Sequence, residues 1–450
     1  MSTDEQDNKP DQDSEETKPN PFQEIVQPFI DLVHAPRALW GINAAYFLEG
    51  MVYFGMLMYL AMYFNEYVGL SDSMAGIMVG VLTSGITFSM FLFGGLADRW
   101  GVRIALIAAF FLMIGGRIAL SGAPSVGMGS TGLGSPVHII AMVGILLIVL
   151  GYGMYQPAAY AGVRQFTTPK TAAMGFAMLY ALMNLGGWVP TFFSPIRKAF
   201  GISGAFWVFT AASVVALLLT IVLLTKKVVD RTTAEAKAEK EAQKSDEKKE
   251  QEAEKKEKEN AALAEARARG FFAMAWHWLR HHPLADPKFT FFIFALIPVQ
   301  TLFAHNWLTL PLYVERAFAP PVGVEACDWL ASSSEALPAL EGARTVEALK
   351  DVVLRFEGSK QACEAKKQIR SMAAVKLVEG DKKAAEQAEE AKRTIRTLDF
   401  QAAAKESSAK GNWSETARLW LGENFEVAVN FNPLLIFILV PIVTALTQRR

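Results

Sequence analysis

The sequence FLFGGLADRWGVR, Phe91 to Arg103, separates two apolar runs that are each long enough to cross a bilayer. Its core reads Gly94-x-Leu96-Ala97-Asp98-Arg99-x-Gly101-x-Arg103. Glycines at such a point let two helix ends pack closely at a tight turn. Asp98 falls at a helix end beside Arg99 and Arg103, at the membrane surface, where a charge network can hold one side of a helical bundle shut. The plainer alternative is an ordinary positive loop between two spans. Either way, the stretch marks an all-α, multi-pass membrane protein.

Bulk composition hides this. An apolar content of 52% with 20% charged residues looks almost soluble, and the formal net charge of -1 argues against a nucleic-acid partner. The charges, however, are segregated into a few polar blocks, and the apolar residues into runs of about twenty, the length that spans hydrocarbon. The start, MSTDEQDNKPDQDSEETKP, lacks the basic region and short apolar core of a secretory signal and reads as a disordered, acidic cytoplasmic tail.

Working outward, residues 1–39 comprise that tail and an amphipathic lead-in with Phe22, Ile25, Val26, Phe29, Ile30 and Val33 near helical spacing. Residues 40–225 hold a six-span bundle, with spans near Trp40–Tyr63, Met74–Ala97, Arg103–Leu120, Val137–Val163, Ala172–Phe193 and Ile202–Leu224. Gly76 and Gly80 on the second span offer a close helix contact. Residues 226–270 turn abruptly to Ala, Glu, Lys and Gln, with opposite charges three or four apart and no apolar seam, as in a solvated cytoplasmic linker helix. Residues 271–288 read as a short aromatic helix along the interface.

A seventh span occupies 289–314, broken by Pro298 and Pro311. A polar insert with helical patterning fills 315–426, and an eighth span fills 427–450, ending in Arg449-Arg450. The positive-inside rule places Arg99, Arg103, Arg164, Lys170, the linker and both ends in the cytoplasm, with Arg197 and Lys198 against the trend. The insert then lies outside. Its Cys327 and Cys363, the only two cysteines, are expected to form a disulfide there.

The Gly94–Arg103 pattern resembles the signature between the second and third spans of major facilitator superfamily transporters. Further stretches are similar to proton-dependent oligopeptide transporters. Glu49-Gly-Met-Val-Tyr53-Phe54-Gly55 resembles the tail of that family's E-x-x-E-R-F-x-Y-Y-G motif. Gly151-Tyr-Gly153-Met-Tyr-Gln156-Pro157 is similar to G-x-G-x-x-K-P, with Gln165-Phe166 following. Phe176-x-x-Leu179-Tyr180-x-x-x-Asn184-Leu185-Gly186 resembles F-x-x-x-Y-x-x-x-N-x-G, and Asn432-Pro433 with Pro441 resembles N-P-x-x-x-x-x-x-x-P. The resemblance covers all eight spans but neither linker nor insert. It implies alternating access between two halves, with solute bound near the midplane, and a small solute such as a di- or tripeptide carried with protons.

The departures are equally informative. The family's first motif glutamate falls on Tyr46, its arginine on Gly50, and its fourth-span lysine on Gln156. In the family those charges couple proton movement to peptide binding, so a proton-independent or non-peptide carrier is the alternative. Glu49 remains, a carboxylate at membrane depth and the candidate proton-coupling residue; the bland alternative is a neutral, hydrogen-bonded side chain that only packs helices. Tyr53, Tyr155, Gln156, Tyr180 and Asn184 are candidate solute-binding residues, although tyrosines in spans also serve as interface anchors. Gln300 and Asn306 join them on the proline-broken seventh span, where His305 falls towards the outer surface.

Arg117 lies about fourteen residues beyond Arg103, roughly 21 Å along a helix, and is expected to snorkel to the interface. His277 and His281 are four apart, but no nearby acid completes a metal site. No P-loop or nucleophile–base constellation points to ATP hydrolysis or an enzyme, and no cofactor is expected. From a different class, a non-transporting membrane scaffold would bind partners through linker and insert. With six spans in the first half and two in the second, the sequence is also expected to be a fragment, or to be completed by a partner chain or oligomer.

Overall fold

The computed structural model describes residues 35–126, 131–168, 171–242, 309–320, 330–374 and 382–447, with isolated positions between them such as Trp307 and Cys327. The acidic tail, the linker beyond 242, the interfacial segment with His277 and His281, most of the seventh span with Gln300, His305 and Asn306, and the final Arg449-Arg450 lie outside the described residues.

Six described stretches are long and apolar enough to cross a membrane, and one of them, Ala172–Leu223, contains two helices. Five of these stretches give the crossing helices α1 (Arg37–Glu66), α2 (Asp72–Phe93), α3 (Val102–Val126), α4 (Pro136–Phe166), α5 (Ala172–Trp188) and α6 (Ser194–Leu223), and the sixth, Phe425–Thr444, comes near the end of the described residues. Their starts follow from local chemistry. Ser71 caps α2 by accepting from the Met74 amide, and Ser135 caps α4 the same way from His138, with Pro136 at the first helical position. A 3-10 turn, Val189–Phe193, joins α5 to α6. Gly201 interrupts α6 with a φ of 70°, at the point where the apolar run of that span begins.

In α1 the apolar window is 83% buried, against 28% in α2, so α1 is the central helix and α2 faces outward. Between lipid-bathed helices, close packing of small residues replaces hydrophobic burial as the associating force. The glycines that serve this purpose are not the pair expected. A Cβ on Gly76 or Gly80 would meet nothing, because α2 turns that face away from the bundle. On Gly186 it would fall on the Phe47 carbonyl oxygen and on Gly50 on that of Met183, so α1 and α5 touch backbone to backbone. Gly116 and Gly144 do the same between α3 and α4.

The Phe91–Arg103 stretch forms the turn its glycines foretold. After α2 ends at Phe93, Leu96–Trp100 makes a single helical turn. Gly101 closes it with φ 80°, its amide donating to the Ala97 carbonyl at 3.0 Å, and α3 begins at once. A side chain at Gly101 would be strained in that conformation.

Beyond the bundle, the helix α7 (Lys226–Ala242) opens the linker. It is not wholly solvated as expected: Thr232 and Ala236 are buried, and Lys240 Nζ donates to the Arg164 carbonyl at the end of α4 at 2.7 Å. The insert follows α8 (Leu310–Ala317) as a helical cap of α9 (Ala336–Gly342), α10 (Val346–Arg355), α11 (Lys360–Ala373), α12 (Lys382–Ala409) and α13 (Trp413–Glu423). It has its own core around Val346, Leu349, Val352, Ala365, Ile369 and Ile395. Cys327 and Cys363 are joined by a disulfide, with Cα atoms 5.6 Å apart. The cap lies at the Glu66 end of α1, opposite to the Phe91–Arg103 turn.

The chain returns through a short helix, α14 (Phe425–Val429), and α15 (Phe431–Thr447), which packs beside α5. Trp307, 1% exposed, stacks on Phe54 of α1 with ring centroids 4.7 Å apart.

Candidate functional site

Four helices bring polar groups together inside the bundle. Glu49 of α1 is 1% exposed and Arg117 of α3 is fully buried. Arg117 Nη1 donates to Glu49 Oε2 at 3.0 Å, and Nη2 donates to Oε1. The arginine also donates to Ser213 Oγ on α6 at 2.6 Å and to the Tyr152 hydroxyl on α4 at 3.1 Å. Tyr152 in turn donates to Glu49 Oε1. The carboxylate therefore faces a two-pronged guanidinium and a phenol, the geometry in which such pairs are strongest. Between apolar helices each charge depends on the other, since an unpaired one there is costly.

This corrects the expected place of Arg117. Counting from Arg103 put it within reach of the interface, but α3 continues to Val126, nine residues further, or roughly 13 Å at 1.5 Å per residue. Arg117 is thus a mid-helix residue that cannot snorkel out. A helix that outlasts its apparent apolar run is the signal that was missed. Tyr152 and Ser213, one on each of two further helices, gave none that spacing alone could reveal.

Around the pair lies an aromatic wall. Tyr53 meets Tyr152 edge-on at 5.2 Å, Tyr152 meets Tyr155 at 6.2 Å, and Tyr155 stacks on Tyr46 at 5.7 Å. The Tyr46 hydroxyl donates to Gln156 Oε1 at 2.5 Å. These are the positions where the resemblance implies a glutamate and a lysine. Here they form one neutral hydrogen bond, and the buried charge pair is Glu49 with Arg117 instead. Gly50, where an arginine is implied, packs against the Met183 backbone and has no room for a side chain.

Glu49, Tyr53, Tyr155 and Gln156 are therefore brought together. Tyr180 and Asn184 stand apart on α5: Asn184 donates to the Tyr180 carbonyl one turn back at 2.8 Å, and the Tyr180 ring is 40% exposed. Asp98 and Arg99 are exposed at the turn. Among the described residues neither forms an ion pair, and Arg103 Nε is buried without a partner.

A second charged cluster closes the opposite end. Arg197 Nε of α6 bonds Glu426 Oε1 of α14 at 2.6 Å, and the Tyr59 hydroxyl of α1 donates to the same oxygen at 3.0 Å. Lys198 pairs with Glu423 at 2.9 Å, and the Arg197 guanidinium lies 4.8 Å from the Phe425 ring centroid. Arg197 and Lys198, which break the charge pattern of the loops, are explained by these partners. Glu426 is 0% exposed, so the boundary drawn at 426 between insert and eighth span separates a residue from the helix pair it belongs to.

A bundle of apolar crossing helices around a buried acid–base network defines a multi-pass membrane protein with a polar interior. The profile of the Major Facilitator Superfamily matches residues 3–133 and 42–321, well over half of the chain. The chain belongs to the Major Facilitator Superfamily. It is similar to Peptide transporter family 1 of Drosophila melanogaster, 29% identical over 170 residues, covering 36% of this chain and 22% of that protein. It is also similar to Solute carrier family 15 member 1 of Oryctolagus cuniculus, 26% identical over 183 residues, with coverage of 36% and 24%. The match thus spans about a quarter of the length of these curated relatives. A crystal structure of a peptide transporter POT aligns with a TM-score of 0.42 and 15% identity, covering 92% of this chain and 95% of that one.

Proposed function

We propose that the chain is a secondary active transporter of a small solute, of the di- or tripeptide kind, which moves with protons by alternating access. The observation that carries this reading is the Glu49–Arg117–Tyr152–Ser213 network, an ion pair shared by four helices in the bundle interior. Protonation of Glu49 removes the charge that holds Arg117. The guanidinium then keeps only Ser213 and Tyr152, which belong to α6 and α4, and α1 is freed to tilt against them. Tyr53, Tyr155 and Gln156, next to the pair, would contact the solute. Asp98, Arg99 and Arg103 would act at the inner gate, and Arg197 with Glu426 would close the other end. The chain would lie in the cell membrane with the insert outside.

The neutral Tyr46–Gln156 bond and the filled space at Gly50 favour a second reading, a carrier of a non-peptide solute or one without proton coupling. Uptake of radiolabelled dialanine into vesicles holding the purified chain distinguishes them. The first reading requires saturable uptake driven by an inward proton gradient and abolished when the gradient is collapsed. Uptake indifferent to the gradient supports the second, and no uptake of any solute would support a non-transporting scaffold.

A further inference from the structure

Helix α13 of the insert is tied to the bundle at its last turn. Lys198 of α6 pairs with Glu423 at 2.9 Å, and Ser194 donates to the Asn424 side chain at 2.9 Å. The membrane-crossing stretch Phe425–Thr444 follows at once. Trp420 therefore stands about 8 Å before that stretch, counted at 1.5 Å per residue, a distance comparable with the headgroup layer of a bilayer.

The two sides of α13 differ. One side docks on α8 and α12. There Leu419 is 2% exposed, a Cβ at Gly422 would collide with Phe318 and Phe400, and Arg418 Nη1 donates to the Ala317 carbonyl at 3.1 Å. The other side carries Trp413, Ala417 and Trp420, which the spacing i, i+4, i+7 places on one face. All three are exposed, Trp413 by 76% and Trp420 by 50%. Tryptophan is mostly buried in folded proteins, so two on one open face call for a partner.

Lipid-facing surface begins at the same end. Phe192, between α5 and α6, is 60% exposed, and Phe200, two residues beyond Lys198, is 69% exposed. Phe431, which opens α15, is 58% exposed. An indole suits the boundary that follows, with an apolar body and a polar N–H. The charges beside the face are paired, Glu415 with Arg418 and Glu406 with Lys410. The face is thus suited to hold lipid by apolar area rather than by charge.

We propose that α13 lies in the lipid headgroup layer at this end of the bundle and seats the insert on the membrane through Trp413 and Trp420. The partner is a neutral phospholipid surface. The helix rests on it by one face and holds α8 and α12 by the other. This seating needs only that the bundle spans a membrane, and is independent of which solute the chain carries.

Ala417, between the two tryptophans, is the position to probe. With Cys327 and Cys363 joined, Ala417→Cys offers a single thiol for a nitrobenzoxadiazole fluorophore in the full chain, in phosphatidylcholine nanodiscs without reductant. Phosphatidylcholine bearing a nitroxide near its headgroup should quench the label, and aqueous iodide should quench it far less than it quenches the free fluorophore. Adding Trp413→Ala with Trp420→Ala should lose the lipid quenching and restore that by iodide. Iodide quenching equal to that of the free fluorophore would put the face in water and overturn the proposal. Protection from iodide without lipid quenching would mean a covering of protein, such as a second copy, and overturns it equally. So does lipid quenching that survives loss of both tryptophans. A second measurement needs no cysteine: Trp413→Phe with Trp420→Phe should remove from the tryptophan emission a component that nitroxide lipid quenches. Removal of only a lipid-insensitive component overturns the seating.

Discussion

Arg117 Nη1 donates to Glu49 Oε2 at 3.0 Å across 68 residues of sequence, and both side chains are 1% exposed. Neither charge is near water, so each is tolerated only because of the other. Arg117→Leu should therefore lower stability by about 3–5 kcal/mol, the cost of leaving a buried charge unpaired. Glu49→Gln combined with Arg117→Leu should recover most of that loss, because no lone charge remains. Thermal unfolding of the two variants in the same detergent checks this. An additive double variant would show that the pair is not coupled.

Packing supplies a second prediction. Gly186→Ala places a methyl on the Phe47 carbonyl, with backbone on both sides and no side chain able to yield. It should cost about 1–3 kcal/mol, as overpacking does. Gly80→Ala meets nothing and should stay within about 0.5 kcal/mol. Equal midpoints for the two variants would contradict the α1–α5 contact.

The all-helical class and the turn at Phe91–Arg103 were legible because apolar runs and glycines act locally. Even there, spans were read short: α1 begins at Arg37 and α3 runs to Val126, since a helix continues past its lipid-facing residues. The Gly76–Gly80 pair misled because a small-residue motif does not say which face it occupies. Glu49 was legible as an acid at depth, whereas Arg117 was assigned to the interface and Tyr152 and Ser213 were not foreseen. Their meeting depends on how four helices are rotated about their axes, which no single helix encodes. Glu426 was hidden for the same reason, its partner Arg197 being 229 residues away.

The seam between insert and bundle should respond to pH. Burial, and then the carboxylate of Glu66, push Glu389 on α12 up to about 7, against the opposing pull of Lys392 and Arg393. Tyr67 faces the same cluster and is raised as well, chiefly by burial. A folded-state value above the unfolded one means that the docked insert binds the proton more tightly than the unfolded chain does. Its contribution is complete below about pH 4.5, declines as pH rises to about 7, and stays level above that. Hydrogen exchange of α12 should accelerate across this window, and Glu389→Gln should flatten the profile. A profile unchanged by Glu389→Gln would assign the dependence elsewhere.

Cys327 and Cys363 close a loop of 36 residues in the insert. On the chain-entropy relation such a link stabilises by roughly 3–4 kcal/mol. In protein purified without reductant, neither cysteine should react with an alkylating reagent, and reduction should lower the unfolding midpoint of the insert. Full alkylation without reduction would place the insert in a reducing compartment.

The central claim is that the buried carboxylate of Glu49 carries the coupling proton, and one comparison in vesicles tests it most directly. Glu49→Gln keeps the size and a hydrogen-bonding oxygen but cannot take up and release a proton at neutral pH. Proton-gradient-driven uptake of dialanine should fall to the level of empty vesicles. Counterflow exchange, which needs only the cavity and its rocking, should stay within about threefold of the unsubstituted chain, a change under 1 kcal/mol. Gradient-driven uptake by Glu49→Gln with an unchanged pH dependence would contradict the account.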